Sequence, residues 1–341
     1  MKKKKLFIGI DFSKLTFDVT YFEAIEPDKK HYKKFDNTEE GFCDMIKWIK
    51  KTSKDTSKWL VCGEFTGIYA MTAAIVFNKQ NIDLWLENPS QIKLSSGINR
   101  EKNDKVDSGQ IALYALRFLD RAKLYKPQND TLLKIRELVG YKDRLTKNKS
   151  QLIVPAKELK RVRNKWDEVD YIYDSSKEMV EIFDAKIKEI EHKMLSLLKS
   201  DPDLLRLYKL INSVVGVGMQ TAIYLLVHTW GFTSFENSRQ LACYCGVAPF
   251  SKQSGTSIHG KSQVSHIANK KLKSLLHMCA LNAKKYDPKI KEYYEQRLSD
   301  GKHKMAVLNI VRNKLLHRIW AVVQSGEMYD KNYIHSMAVA A

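Results

Sequence analysis

The chain has few cysteines, no long apolar run and, over one stretch of fifty residues, no acidic side chain. Its five cysteines are an odd number with neither a Cys-x-x-Cys pair nor zinc-finger spacing, which disfavours a disulfide scaffold and a zinc site. No apolar run is long enough for a membrane span, and the run after the N-terminal lysines is only five residues, too short for a signal peptide. We therefore expect reduced thiols and a cytoplasmic, nucleoid-associated protein that contacts no membrane.

Positive charge is present in excess. The chain holds 58 Lys plus Arg against 39 Asp plus Glu, a formal net charge of +19. The stretch without acids runs from residue 237 to residue 286 and contains one arginine and seven lysines. A surface of this kind should face a polyanion, and nucleic acid is the partner that such basicity favours.

Apolar periodicity predicts an α/β domain at the N-terminus. The predicted strands are residues 6–10, 16–22, 32–35, 59–63 and 82–86, and the predicted helices are 39–51, 69–78 and 104–118. Three strands followed by helix, strand, helix, strand and helix is an order that resembles the ribonuclease H-like (RuvC-like) fold. The sequence therefore predicts that fold for the first part of the chain.

Four acidic residues fall at predicted strand ends and at a predicted helix start. Asp11 and Glu64 each close an apolar run, and Asp104 and Asp107 open a helix three residues apart. A carboxylate at a strand end is poorly placed for a core and well placed for a metal ion. Hard cations prefer oxygen ligands and commonly act on phosphates, so Mg²⁺ is the expected ion, with Mn²⁺ as the alternative.

Other roles for these residues stay open. Asp104 or Asp107 can instead be a helix N-cap, because aspartate is favoured there. The flanking cations Arg100, Lys102 and Lys105 are candidate nucleic-acid contacts, although solvated charges at a helix start are equally consistent with the pattern.

Beyond residue 126 the sequence predicts helices, and Pro155 predicts a break between two of them. Apolar residues then recur for about three heptads, at Met179, Phe183, Ile187, Ile190, Met194 and Leu197. The seam fits either a coiled coil between chains or a helical hairpin packed on its own domain. We divide the chain into residues 1–125 (four-carboxylate domain), 126–200 (helical or coiled-coil linker and dimerisation region) and 201–341 (mainly α C-terminal domain).

The acid-free stretch encloses a predicted loop, residues 246–256, that is rich in glycine, proline and serine. Its hydroxyl groups and the lysines around it are candidates for contact with phosphate. The lysines are Lys252, Lys261, Lys270 and Lys271, and the hydroxyl residues are Ser251, Ser254, Thr256 and Ser257. The residues alone do not single out one hydroxyl group.

Several motifs occur in a fixed order along the chain. They are Asp11-Phe12-Ser13-Lys14, Glu64-Phe65-Thr66-Gly67-Ile68-Tyr69, the segment Arg100–Asp107, and Gly246-Val247-Ala248-Pro249 followed by Ser254-Gly255. Together they resemble the insertion-sequence transposases that have an N-terminal four-carboxylate domain and a C-terminal serine domain, also described as bridge-RNA-guided recombinases. The chain departs from that family at Val215-Gly216-Val217-Gly218, where proline is common in place of valine, and at Lys273, where arginine is expected.

The resemblance implies a DNA transposase whose Asp11, Glu64, Asp104 and Asp107 hold Mg²⁺. It implies that Ser254 attacks a DNA phosphodiester and forms a covalent phosphoserine. Donor and target DNA, a structured guide RNA, a homodimer and a tetramer in the synaptic complex are the partners it implies. Two other interpretations remain open: a Mg²⁺-dependent junction-resolving nuclease that uses water, and a non-catalytic nucleic-acid scaffold.

Overall fold

The structure, a computed structural model, describes residues 4–65, 67–95, 97, 103–126, 129–254 and 258–330. The side chains at 251–254 and 258–262 lie outside that description. The chain divides into two units, Met1–Pro127 and Gln128–Ala341. The further domain boundary near residue 200 stays a prediction.

A five-stranded sheet organises the first unit. Its strands are β1 (Leu6–Phe12), β2 (Thr16–Glu23), β3 (His31–Asp36), β4 (Trp59–Glu64) and β5 (Leu84–Glu87), in the order β3-β2-β1-β4-β5. β2 is antiparallel to β1 and β3, whereas β1, β4 and β5 are parallel. This order and these directions agree with the predicted ribonuclease H-like arrangement, and the α/β character of the unit is confirmed.

Helices cover both faces of this sheet. They are α1 (Glu39–Lys50), α2 (Met71–Lys79), α3 (Pro89–Ser95) and α4 (Asp104–Arg117). Alternate strand residues point to opposite faces. One set, with Ile8, Ile10 and Val19, packs with apolar residues of α1 and α2. The other set, with Phe7 and Phe22, packs with α3 and α4.

Helix α4 approaches β1 closely at Gly9. A Cβ atom on Gly9 would lie 2.1 Å from the carbonyl oxygen of Ser108 and 2.4 Å from the backbone nitrogen of Ala112. Next to this contact the buried hydroxyl groups of Ser108 and Thr20 are 2.8 Å apart and share a hydrogen bond. The absence of a side chain at Gly9 therefore sets the position of α4, and of the acids at its start, over the sheet.

We expect Gly9→Ala to destabilise the protein by about 3 kcal/mol or more, because the added methyl group overlaps helix backbone that cannot rotate away. Gly109→Ala is the matched control on α4. Its Cβ would meet only Thr20 Cγ2, at 3.8 Å, and alanine favours the helix by roughly 1 kcal/mol. Urea unfolding followed by circular dichroism measures both variants. Equal stability of the two would contradict the close packing described here.

The second unit begins with two long helices, α5 (Asp130–Val162) and α6 (Asp167–Lys199), which pack against each other. Ion pairs join Lys142 to Glu191, Lys149 to Asp184 and Lys160 to Asp170. From pair to pair, the residue number on α5 rises while the residue number on α6 falls. The two helices are therefore antiparallel and form a hairpin.

The helix break predicted at Pro155 is wrong, because α5 is continuous through it. A proline within a helix removes the bond from its own nitrogen to the carbonyl four residues earlier. That carbonyl belongs to Gln151, and both Gln151 and Pro155 lie on the exposed surface, where water can replace the lost partner.

The apolar seam of α6 packs against other helices of the same chain. Ile190 and Met194 are 3% and 2% exposed in the core of the second unit, and Phe183, Ile187 and Leu197 pack against it. Met179, nearer the tip of the hairpin, is 41% exposed. The hairpin interpretation is therefore observed, and a coiled coil between chains stays a prediction.

Six further helices and a short β-hairpin complete the second unit as described. The helices are α7 (Pro202–Ser213), α8 (Met219–Thr229), α9 (Ser238–Tyr244), α10 (Lys270–Tyr286), α11 (Pro288–Ser299) and α12 (Lys304–Ser325). The mainly helical character is confirmed, and among the described residues no helix is long and apolar enough to cross a membrane.

The loop predicted for residues 246–256 is partly wrong. Strands β6 (Pro249–Ser254) and β7 (Ile258–Val264) pair as an antiparallel hairpin with a register shift between Phe250 and Lys252. Pairing of backbone groups, rather than side-chain propensity, holds this serine- and lysine-rich segment in strands.

Candidate active site

The four predicted acids lie in one region of the first unit. Asp11 and Glu64 follow Ile10 and Gly63, the last paired residues of the parallel strands β1 and β4. Asp104 and Asp107 lie in the first turn of α4, which packs on these strands. The helix is capped by Asn103, whose side chain accepts a hydrogen bond from Val106, so the alternative N-cap role for either aspartate is wrong.

The other three acids lie close enough to Asp11 for their charges to shift its pKa. The pKa of Asp11 is raised from 3.8 to about 6, first by burial and then by the charges of Glu64, Asp107 and Asp104, with Asp18 contributing least. The pKa of Glu64 is raised as well, by burial and by Asp107. Like charges brought together out of water disfavour ionisation, and a divalent cation would reverse that effect.

The chemistry of this donor set fits Mg²⁺, since all four side chains offer hard carboxylate oxygens. Among the described residues, however, no three potential ligands are arranged closely enough to hold a metal ion. The acids are therefore electrostatic neighbours rather than a closed coordination shell. Metal binding would have to draw their side chains inward.

Comparison with known proteins decides the family. Residues 8–159 match a DEDD transposase family of IS110 elements described as "Transposase", and residues 208–295 match one described as "Transposase IS116/IS110/IS902 family". The chain is an IS110-family transposase. It acts on DNA, and a DEDD domain implies the ribonuclease H-like fold that the sheet of the first unit displays.

Similar proteins agree with this assignment. A pilin gene-inverting protein of Moraxella bovis is 29% identical over 332 residues, which span 96% of this chain and 98% of that protein. An insertion element IS110 protein of Streptomyces coelicolor is 32% identical over 155 residues, 45% of this chain and 37% of that protein. A pilin gene-inverting protein of Moraxella lacunata is also 29% identical over 332 residues.

The predicted basic contacts have different surroundings in the transposase. Lys105 is exposed and lies over the ring of Tyr32, with Nζ 5.7 Å from its centroid. Lys270 is exposed at the start of α10. Lys271 already pairs with Asp143, at 3.0 Å, and is therefore the weaker candidate for a phosphate contact.

Other predicted contacts cannot be described at side-chain level. Arg100 and Lys102 lie outside the described residues. Lys252 and Lys261 lie on β6 and β7, and their side chains are outside the description. Their proposed contacts with nucleic acid remain predictions.

Ser254 is the last residue of β6, and its backbone pairs with Ile258 at the start of β7. Its side chain, like that of Ser251, lies outside the description, and so do residues Thr256 and Ser257 altogether. Ser254 therefore lies at the end of β6 that is paired with the start of β7.

Asp18 is a further acid beside the predicted four, and none of the sequence motifs includes it. Asp18 lies opposite Asp11 in the β1–β2 register and is 1% exposed. Tyr32 donates a hydrogen bond to its Oδ1 atom, and the Nζ atom of Lys34 is 3.4 Å from its Oδ2 atom. The short connection between the first two strands is a signal in the sequence that could have placed Asp18 across from Asp11.

The raised pKa of Asp11 predicts a pH effect on stability. An acid whose pKa is higher in the folded chain binds its proton more tightly there, so this group adds stability as the pH falls. The gain starts near pH 6 and is complete below about pH 4, with an upper bound of about 3 kcal/mol.

Metal-free Asp11→Asn should lose this contribution. We expect the wild type to gain more stability than Asp11→Asn when the pH is lowered from 7.5 to 5, measured by urea unfolding in a chelator. Asp55→Asn is a control outside the site, because Asp55 lies at an exposed turn next to Lys58. Parallel pH profiles for the wild type and Asp11→Asn would contradict the clustering of the acids.

Proposed function

We propose that this transposase cleaves and rejoins DNA strands through a covalent phosphoserine formed by Ser254, with Mg²⁺ held by Asp11, Glu64, Asp104 and Asp107. One observation supports the proposed metal site: the carboxylates at the ends of two strands lie near two carboxylates of α4. Burial and mutual repulsion there raise the pKa of Asp11 to about 6. Such a cluster is costly unless a cation neutralises it, which is the usual mark of a metal-dependent phosphoryl-transfer site.

Support for the serine comes from the resemblance to serine transposases and from its place at the end of β6 in an acid-free segment. In the proposed step the Oγ atom of Ser254 attacks the phosphorus of a phosphodiester. One P–O bond forms at the serine, one P–O bond to a deoxyribose oxygen breaks, and the serine proton passes through solvent to the departing oxygen. The number of phosphate esters is unchanged, so rejoining by the reverse step needs no ATP.

When bound, Mg²⁺ would lower the pKa of the attacking hydroxyl group and stabilise charge on the departing oxygen. Ser254 and the acids belong to different units of the chain. We propose that they come together in the assembled complex, in a dimer or a tetramer, and that a structured RNA guides the choice of DNA. The long acid-free segments of the second unit, residues 237–286 and 304–325, supply positive charge suited to both nucleic acids.

The covalent intermediate is the direct test. With Mg²⁺, labelled DNA from the junctions that flank the gene, and any RNA that copurifies, wild-type protein should form an adduct that survives denaturation. Ser254→Ala and Asp11→Asn should each reduce the adduct by more than about 1,000-fold, because each removes a group needed for the same step. Ser251→Ala, on the same strand, is the matched control and should retain it.

The outcomes separate the competing functions. Metal-dependent cleavage that survives in Ser254→Ala, without an adduct, would show a nuclease that uses water. Unchanged DNA binding in Asp11→Asn, with no cleavage by any variant under Mg²⁺ or Mn²⁺, would show a scaffold. Adduct formation that is unaffected by removing the RNA would refute the guide.

Self-association is supported by exposed apolar side chains on the α5–α6 hairpin, from its tip to the middle of α6. Val162 is 73% exposed, Trp166 52%, Tyr171 75% and Ile182 60%. Exposed large apolar side chains in this number on one pair of helices are typical of an interaction site. We therefore propose that this surface joins two copies of the chain.

Ile182→Glu should convert a dimer to a monomer, with the dissociation constant raised by at least about 100-fold, because it would bury an unpaired charge. Lys188→Glu is the control. Lys188 is exposed on α6, and its direction around the helix axis differs from that of Ile182 by about a third of a turn. Light scattering after gel filtration measures both. A wild type that is monomeric at every concentration would exclude this interface.

A further inference from the structure

Asp18 is a buried acid that is only partly paired. Asp18 is 1% exposed and points to the face of the sheet that also carries Asp11. Its Oδ1 atom accepts a hydrogen bond from Tyr32, but its Oδ2 atom is buried and has no hydrogen-bond partner in the described part of the chain. A buried carboxylate oxygen without a donor requires a cation nearby.

Lys34 is that cation, and two carboxylates share it. Its Nζ atom lies 3.4 Å from Asp18 Oδ2 and 3.6 Å from Asp104 Oδ2. Charge-assisted hydrogen bonds between ammonium and carboxylate are shorter, about 2.7–2.9 Å, so Lys34 is held between the two acids and is not fully bonded to either. Its side chain is 49% exposed, which leaves room for another partner.

The two ion pairs differ in how easily they separate. Asp18 is buried, and removing its cation would leave an uncompensated charge inside the protein. The side chain of Asp104 is 58% exposed, and a pair at that surface is weak and screened by salt. Lys34 therefore stays with Asp18 and can leave Asp104.

A cleft next to Lys34 suits a nucleic-acid strand, and Tyr32, two residues before Lys34 on β3, is part of its lining. The cleft, of about 520 Å³, lies along β2, β3 and the start of α4, and Lys30, Tyr32, Asn103 and Lys105 are among its lining residues. Two ammonium groups, those of Lys30 and Lys105, form a lining that can accept a phosphate backbone. Asn103 and Lys105 are the neighbours of Asp104, so the cleft opens beside the acids.

We propose that Lys34 is a phosphate-contacting residue of the acid site: anchored by Asp18, it releases Asp104 and binds an oxygen of the DNA phosphodiester that enters beside the four acids. This inference rests on the proposed function, because it takes the acid cluster as the place where DNA reacts. Asp104 loses its ion pair in the same exchange and becomes available as a metal ligand. One movement of Lys34 therefore frees a carboxylate and places an ammonium group on the phosphate.

The test measures DNA binding as a function of salt. A labelled duplex spanning one junction of the element is titrated with full-length protein, once with Ca²⁺ in place of Mg²⁺ and once in a chelator. Lys34→Ala should reduce the slope of log affinity against log salt by about 0.9, which corresponds to about eightfold weaker binding at about 0.1 M salt. The loss should be larger with Ca²⁺, because a metal on Asp104 frees Lys34.

Lys33→Ala is the matched control. Lys33 precedes Lys34 on β3, and its ammonium group lies over the ring of Phe35, 5.1 Å from the centroid, on the other face of the strand. We expect no change in slope for Lys33→Ala and a slope close to the wild type for Lys34→Arg. Equal losses in Lys33→Ala and Lys34→Ala would overturn the proposal, because they would show a general charge effect.

Lys34→Ala leaves the buried Asp18 without its cation and can unfold the domain. The double variant Asp18→Asn/Lys34→Gln removes both charges together and should show the same loss of slope. A wild-type slope in folded Lys34→Ala, or in the folded double variant Asp18→Asn/Lys34→Gln, refutes the inference alone, provided that Asp11→Asn still abolishes the DNA adduct. An adduct that persists in Asp11→Asn refutes the proposed function, whatever the slope of the Lys34 variants.

Discussion

The packing of α4 against β1 at Gly9 is the constraint on which the acid site depends. A helix backbone that lies where a Cβ atom would otherwise be can occupy only one position over the strand. That position carries Asp104 and Asp107 to the end of the sheet where Asp11 and Glu64 emerge. The core beneath the helix and the geometry of the site are consequently set by the same contact, and one cannot be altered without the other.

The acid cluster lowers the stability of the folded protein, and the rest of the structure offsets that loss. Burial and repulsion raise the pKa of Asp11, so at neutral pH the ionised site works against folding. Lys34 relieves part of that repulsion, since it is shared by Asp18 and Asp104. A site of this kind trades stability for the ability to bind a cation, a compromise that is common where charge must be held ready for chemistry.

The sequence predicts the elements of the first unit well because their signals are local. Apolar runs that end in an acid identify Asp11 and Glu64, and helical spacing puts Asp104 and Asp107 on one turn. The role of Lys34 is not local: it depends on the registers of three strands, which pair Asp11 with Asp18 and Asp18 with Lys34.

The second unit is harder to predict for two physical reasons. The β6–β7 hairpin contains few of the β-branched and aromatic residues by which strands are recognised, and its pairing depends on backbone hydrogen bonds. Pro155 is a helix breaker in isolation, yet a helix that is already held by a partner along its length tolerates one missing bond at an exposed position. In both places the arrangement of the neighbours overrides the local preference.

The α5–α6 hairpin has a consequence for how this chain can vary in length. Each helix contains 33 residues and is roughly 50 Å long. Because the helices run in opposite directions, residues opposite each other have numbers that add to a nearly constant value, as in Lys142 with Glu191 and Lys149 with Asp184. An insertion in one helix alone would put every pair on its far side out of register. Relatives with a longer or shorter hairpin should therefore differ by equal numbers of residues in both helices, most readily by seven in each.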